Sequence, residues 1–432
     1  MTFTNMEHDK PLLFDIYPDL KDKVPWISLL SSVPTPVDQL DKLEACYSSN
    51  NTRIYIKRDD KDHDIYGGNK LRKFEFIFGH ARNKKRHGIV TIGGIGTNHG
   101  LACAMVAREL GMTCDLFLFP QPLTWHVQRS LLLYQYFGAK LHLSKGFFSL
   151  TLKVLGHQIF HPKHYTMLPG GSLLVGIGSP VGTLGFINAA FELKNQIDKG
   201  VLPEPDVIFV AGGSGGTAAG LIVGCKLAGL KTKVKIVAVS MNWVINPSTV
   251  TKNANSALKY LRKREKTIPD FKIKEDDFEV INEYLGSDYG IKTKRGQQAI
   301  DKVMETDGIQ KKFKLETTYT GKAMAAMLDY ISSNNNKVVL FWNTYNSNDL
   351  DFILRKLGFN YSKLPKKFHQ FYEDKKFQCW QIVDCPEEIR NNCEAYLNHE
   401  YRFWLVADCK LDKSKRNKAH SELSKVINLE DS

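Results

Sequence analysis

The sequence predicts an α/β protein of two open parallel-sheet domains with an appended C-terminal extension. Short apolar runs alternate with helical stretches over most of its 432 residues, the pattern of βαβ units. Two such series occur, and a stretch rich in Gly, Pro and His, Leu141 to Gly182, separates them. The length suits two core-forming units at about 100–200 residues each, and a composition of 43% hydrophobic and 24% charged residues is that of a globular chain.

In the first series Arg53 to Lys57 reads as a strand, Leu71 to Lys84 as a helix and Gly88 to Ile92 as a strand. Helix Gly100 to Leu110, strand Cys114 to Phe119 and helix Thr124 to Phe137 continue it. The second series runs through helix Leu184 to Gln196, strand Asp206 to Val210, helix Thr217 to Leu227 and strand Val234 to Ser240. It closes with helix Gly321 to Ser332 and strand Lys337 to Trp342. Residues 1–60 with 175–350 are expected to form a larger α/β domain, and 61–174 a smaller one. Beyond Thr344 aromatic and basic residues mix without a βαβ rhythm, so 351–432 reads as the extension.

No run of about 18 apolar residues occurs, and Met1 to Lys10 lacks the order of a secretory signal, so a cytosolic protein without a membrane span is expected. Eight irregularly spaced cysteines suit reduced thiols better than a disulfide framework. The net charge of +13 is compatible with a nucleic-acid surface, but no Arg/Gly tract, zinc finger or aromatic RNA-binding signature accompanies it. A basic face that attracts small anions is the expected alternative.

Gly212, Gly213, Ser214, Gly215 and Gly216 follow an apolar strand and open a helix at Thr217. Backbone N–H groups can converge there on an anion at the positive end of a helix, so phosphate is the natural guest. A nucleotide P-loop fails because Gly216, not Lys, precedes Thr217. A dinucleotide fingerprint fits loosely as Gly213, Gly215 and Ala218, although the next strand ends at Ser240 instead of an acidic ribose ligand. A structural glycine turn is the plain alternative.

In Gly67–Gly68–Asn69–Lys70–Leu71–Arg72–Lys73, glycines before Lys70 permit close approach to its ammonium group. A lysine so placed can be desolvated and attack a carbonyl, although a lysine opening a basic helix is ordinarily a solvated charge. An aldehyde that also carries a phosphate would need both this lysine and the glycine loop. A third cluster, Gly93 to His99, lies where a strand end meets a helix start. Thr97 and Asn98 offer a hydroxyl and an amide there, with N-capping as the structural alternative. His157, His161 and His164 have i, i+4, i+7 spacing, but Pro162 breaks any helix through them, and no metal site is expected. Cys379, Cys385, Cys393 and Cys409 lack zinc-type spacing.

Four motifs together carry a resemblance: Lys-Arg-Asp-Asp at 57–60, the Lys70 motif at 67–73, Gly-Gly-Ser-Gly-Gly-Thr at 212–217 and Tyr-Thr-Gly-Lys-Ala at 319–323. From about Pro34 to Thr344 the chain resembles the D-cysteine desulfhydrase and 1-aminocyclopropane-1-carboxylate (ACC) deaminase family, pyridoxal-phosphate enzymes with the fold of the tryptophan synthase β-subunit. The resemblance implies that Lys70 holds pyridoxal 5′-phosphate as a Schiff base, that Asn98 bonds its ring hydroxyl and that Gly213, Ser214, Gly215, Gly216 and Thr217 hold its phosphate. It implies that the hydroxyls of Tyr289 and Tyr319 bond substrate or move protons, that Thr320 faces the pyridine nitrogen and that Thr344 borders the cofactor. Thr97 stands where the family usually has a serine for the substrate carboxylate, and Gly96 where it commonly has Gln. The implied activity is β-elimination from a small amino acid, with D-cysteine giving pyruvate, sulfide and ammonia; ACC deamination is the alternative. A homodimer is the expected assembly. A catalytically quiet scaffold binding a partner through 351–432 is a third reading, and joint retention of Lys70, Asn98, Tyr289 and Tyr319 argues against it.

Overall fold

The computed structural model describes residues 10–121, 123–171, 179–287, 289–350, 353–354 and 360–372. They contain ten strands: β1 (Val37–Gln39), β2 (Arg53–Arg58), β3 (Gly88–Gly94), β4 (Thr113–Phe119), β5 (Lys140–Leu143), β6 (His164–Met167), β7 (Val207–Gly212), β8 (Lys233–Ala238), β9 (Phe278–Ile281) and β10 (Val338–Asn343). The described residues divide into two compact units, those within 1–86 and 167–348 and those within 87–166 and 349–432.

The larger unit is built on a six-stranded sheet in the order β1-β2-β10-β7-β8-β9, with β1 antiparallel at its edge and the other pairings parallel. All six residues of β7 are buried, as a continuous apolar run must be when helices cover both faces of a parallel sheet. Helices Leu184–Asp198 and Gly216–Leu227 pack closely because Gly220 and Gly224 present no side chain. A Cβ at Gly220 would stand 2.6 Å from the Thr183 carbonyl oxygen, and one at Gly224 2.8 Å from that of Ile187.

The Lys57–Asp60 motif belongs to this scaffold. Lys57 Nζ lies 2.6 Å from Glu192 Oε1, while Arg72 reaches Asp59 at 2.8 Å and Glu192 at 3.0 Å, all four side chains being buried. Trp342 Nε1 donates to the other Asp59 oxygen at 2.6 Å, and Arg58 pairs with Asp60 at 2.9 Å. This network ties β2, β10 and helix Leu184–Asp198 to helix Lys70–Asn83, which therefore starts from a fixed base.

The smaller unit carries the sheet β5-β4-β3-β6, in which β3, β4 and β5 run parallel. Residues 360–372 pack within it: Leu364 and Phe368 are buried, and the Tyr372 hydroxyl donates to the Gln128 carbonyl at 2.7 Å.

Two sequence expectations change. Helix Lys70–Asn83 groups with the larger unit, not with 61–174, and the described part of 351–432 groups with the smaller unit. The Gly-, Pro- and His-rich stretch Leu141 to Gly182, which reads as a loop-heavy crossing between the two series, contains helix Phe147–Phe160 and β6. The four tail cysteines lie outside the described residues; Cys46, Cys103, Cys114 and Cys225 are free thiols. No described helix is long and apolar enough to cross a membrane.

Candidate active site

The lysine turn needs its glycines. Gly68 has φ +110°, and its N–H donates to the Asp59 carbonyl at 2.7 Å and to Asp62 Oδ1 at 3.1 Å. A Cβ on Gly67 would stand 2.1 Å from the Asp60 carbonyl oxygen, and one on Gly68 2.7 Å from that of Thr344. The same Thr344 carbonyl accepts from Asn69 N at 3.2 Å, so Thr344 braces the turn through its backbone. Helix Lys70–Asn83 then begins at Lys70, whose Nζ donates to Asn69 Oδ1. Burial lowers the Lys70 amine to about 8, with the nearby Glu316 carboxylate opposing the fall. Lys73, one turn on, is pushed well below the usual lysine range by burial and by Lys70, and donates to the Gly170 carbonyl at 3.0 Å.

The glycine loop is joined to that turn, since Asn69 Nδ2 donates to Thr217 Oγ1 at 3.0 Å. Gly215 has φ +82°, which glycine adopts without strain, and a Cβ there would be 3.1 Å from Ile245 Cδ1. Asn253 Nδ2 holds the Ser214 carbonyl at 3.3 Å. Helix Gly216–Leu227 follows at once, and the N–H groups of its first turn have no partners within the helix. Gly213 faces Tyr319, with 3.3 Å between a built Cβ and Tyr319 Cε1.

Tyr319 and Tyr289 share a hydrogen bond between their hydroxyls, although they lie 30 residues apart. Burial, Tyr289 and Glu316 hold Tyr319 well above the usual phenol range, and burial also raises Tyr289, so both remain protonated at neutral pH. Glu316 organises the start of helix Thr320–Ser333: its carboxylate accepts from Thr318 N at 2.7 Å, Tyr319 N at 2.7 Å and Thr320 N at 2.9 Å. In return the buried Thr320 Oγ1 accepts from Glu316 N at 2.8 Å.

In the smaller unit Thr97 caps helix Asn98–Glu109, its Oγ1 accepting from Gly100 N at 3.3 Å. Its methyl group sits between Gly93 and Gly100, where built Cβ atoms would lie 2.7 and 2.5 Å from Cγ2. Those two glycines make room for threonine in place of serine. At Gly96 the missing side chain leaves space that Gln121 uses: Gly96 N donates to Gln121 Oε1 at 3.2 Å. Asn98 is the first residue of the same helix.

The larger unit thus brings together Lys70, the 213–217 loop, Tyr289, Tyr319 and Thr320. A low-pKa amine beside a glycine loop that opens a helix, with protonated hydroxyls, fits an aldehyde bearing a phosphate. The pyridoxal-phosphate dependent enzyme family model matches residues 29–344. The chain belongs to this family. A Thermotoga maritima protein provisionally named a 1-aminocyclopropane-1-carboxylate deaminase is 31% identical over 323 residues, covering 73% of this chain and 94% of that protein. A Salmonella schwarzengrund D-cysteine desulfhydrase is 29% identical over 330 residues, covering 73% and 92%. The crystal structure of an ACC deaminase homologue superposes with a TM-score of 0.63 at 26% identity, covering 81% of this chain and all of that one. The protein is a pyridoxal-phosphate dependent enzyme of the ACC deaminase and D-cysteine desulfhydrase group, with the expected α/β fold.

Sequence reasoning passed over Glu316, Asn69 and Gln121. Asn69 lay inside the Lys70 motif and could have been found there. Glu316 carries no sequence signal of its own, and only the fold brings Gln121 to Gly96.

Proposed function

We propose that this enzyme carries out β-elimination on D-cysteine or a close analogue, converting D-cysteine and water to pyruvate, hydrogen sulfide and ammonia. The observation that carries the reading is the hydrogen bonding of Thr320. By resemblance this position lies opposite the cofactor's pyridine nitrogen, where ACC deaminases usually place Glu and desulfhydrases Thr. The Thr320 hydroxyl already accepts the Glu316 N–H at 2.8 Å, and its contacts to Glu316 O and Oε1 are long, 3.4 Å each. The hydroxyl donates in these two contacts, and their length leaves its proton weakly held and exchangeable for a ring nitrogen; a ring nitrogen that accepts a hydrogen bond is neutral.

The cofactor, when bound, supplies the electron sink for the pair left at Cα, and a neutral ring nitrogen makes that sink weaker. Loss of a thiolate tolerates a weak sink because the charge departs with sulfur. Opening an unactivated cyclopropane offers no such exit. Lys70 holds the cofactor through its amine, and the same amine, when free, takes the Cα proton; a value of about 8 lets it exchange protons near neutral pH. The protonated Tyr289–Tyr319 pair can give a proton to the departing sulfur. The 213–217 loop would hold the phosphate; by resemblance alone, Asn98 would bond the ring hydroxyl and Thr97 the substrate carboxylate.

Comparing pyruvate release from D-cysteine with 2-oxobutyrate release from ACC tests the reading. Faster turnover of D-cysteine is expected, and clearly faster turnover of ACC would overturn the argument from Thr320.

A further inference from the structure

The smaller unit holds a cluster that the pyridoxal-phosphate chemistry does not use. Asp115 on β4, His142 on β5, His157 near the end of helix Phe147–Phe160 and His164 at the start of β6 converge there. Pro162 does end the helix before His161, but the turn that follows folds the rings back together: the donor atoms of His157, His161 and His164 all lie within 4.8 Å of one another.

We propose that Asp115, His157 and His164, completed by His161, form a binding site for a zinc-class divalent cation. Ligands about 2.0–2.1 Å from a tetrahedral zinc stand about 3.3–3.4 Å from one another. His157 Nε2 and His164 Nδ1 are 3.1 Å apart, and Asp115 Oδ2 lies 3.7 Å from the first and 3.4 Å from the second. The triangle already has the size of one face of the coordination tetrahedron.

The surroundings are built for ligation. Asp115 is 1% exposed and, among the described residues, its Oδ2 has no hydrogen-bond donor, a costly state for a buried carboxylate oxygen unless a cation meets it. The other oxygen, Oδ1, is held by His142 Nε2 at 2.7 Å, and the His142 ring stacks on Phe117 with centroids 4.4 Å apart. His164 Nε2 lies 3.3 Å from Thr113 Oγ1; with its proton there, Nδ1 turns a lone pair inward. Such outer partners fix the orientation of metal-binding imidazoles and carboxylates. Gly88 clears the space for that pair, since a Cβ would come within 2.2 Å of Thr113 Oγ1 and 2.7 Å of His164 Nε2. His161 is exposed, and with His142 and His157 it lines a cavity of about 540 Å³ that gives an ion a way in. Three imidazoles and one carboxylate select a divalent transition metal over calcium or magnesium, which prefer oxygen.

The test uses the full chain with its cofactor bound, dialysed free of metal and titrated with Zn²⁺ against a chromophoric chelator. One zinc per chain is expected. Asp115→Asn, His157→Gln and His164→Gln should each weaken binding by about a hundredfold or more, and His161→Ala by about tenfold, because water can take that position. None of these side chains belongs to the cofactor set, so unchanged cofactor absorption in each variant separates loss of a ligand from loss of the fold. If the variants fail to fold, Co²⁺ added to the parent protein decides: a tetrahedral site gives visible d–d bands, and their absence overturns the proposal. Failure of the parent to take up zinc, or equal affinity in folded His157→Gln and His164→Gln variants, also overturns it.

Discussion

Replacing Glu316 by Gln should lower the pH at which Lys70 captures the cofactor. Burial pulls the Lys70 amine down to about 8 and the Glu316 charge pulls it up, so removing the charge leaves burial less opposed. With the value at about 8, roughly a tenth of Lys70 is free amine at pH 7, against about three parts in ten thousand for an ordinary lysine. Loss of that opposite charge moves the midpoint below the parent's and raises the free fraction at pH 7. The substitution keeps an acceptor for the N–H groups of Tyr319 and Thr320, which share Oε1, and removes only the Oε2 partner of Thr318. The fold should lose only about 1 kcal/mol. Protein freed of cofactor, mixed with pyridoxal phosphate from pH 6 to 10 and followed by visible absorption, gives the rate of capture. The parent rate should level off above a midpoint near 8, and the variant should reach its plateau at lower pH. A parent rate still rising tenfold per unit at pH 10, or a variant midpoint equal to or above that of the parent, would refute the reasoning.

Arg72→Leu removes one member of the buried network with Asp59 and Glu192. It should cost about 3–5 kcal/mol in denaturant unfolding, the penalty for leaving buried carboxylates without their partner; a loss below about 1 kcal/mol would place the network outside the scaffold. Ending the chain after Leu350 removes the buried Leu364 and Phe368 from the smaller unit. At about 1.5–3 kcal/mol for each side chain the unit should unfold at a clearly lower temperature, and an unchanged melting curve would show that 360–372 contributes nothing to it.

Much of the larger unit was legible because its signals are local. β7 is one continuous apolar run, and the loop after it announces an anion site through glycines that the structure requires at Gly215 and at the Gly67–Gly68 turn. The alternation of strand and helix then gave the class of fold. The stretch 141–182 was illegible for a physical reason: β5 and β6 have four residues each, too few to show a period, and Gly146, Gly156 and Pro162 disguise helix Phe147–Phe160. That helix also leaves Leu152, Leu155, Ile159 and Phe160 exposed, so its apolar positions do not mark a buried face. Thr97 was readable as a cap from its place before a helix, and its hydroxyl does accept from Gly100 N. The Glu316 contribution depends on the turn that returns its carboxylate to three N–H groups, and a glutamate in sequence carries no mark of that. The histidines were visible as a pattern, yet Pro162 argued for separation where the fold makes it the start of the turn that gathers them.

The assignment of Lys70 as the cofactor's anchor underlies the rest, and Lys73 is its natural rival. Lys73 lies on the same helix, is buried and is also held well below the usual lysine range. Borohydride reduction of the holoenzyme followed by peptide mapping separates the two. A single pyridoxyl-modified lysine, Lys70, is expected, with no trapped cofactor in a folded Lys70→Ala variant. Cofactor trapped on Lys73, or an undiminished yield of label in Lys70→Ala, would contradict it.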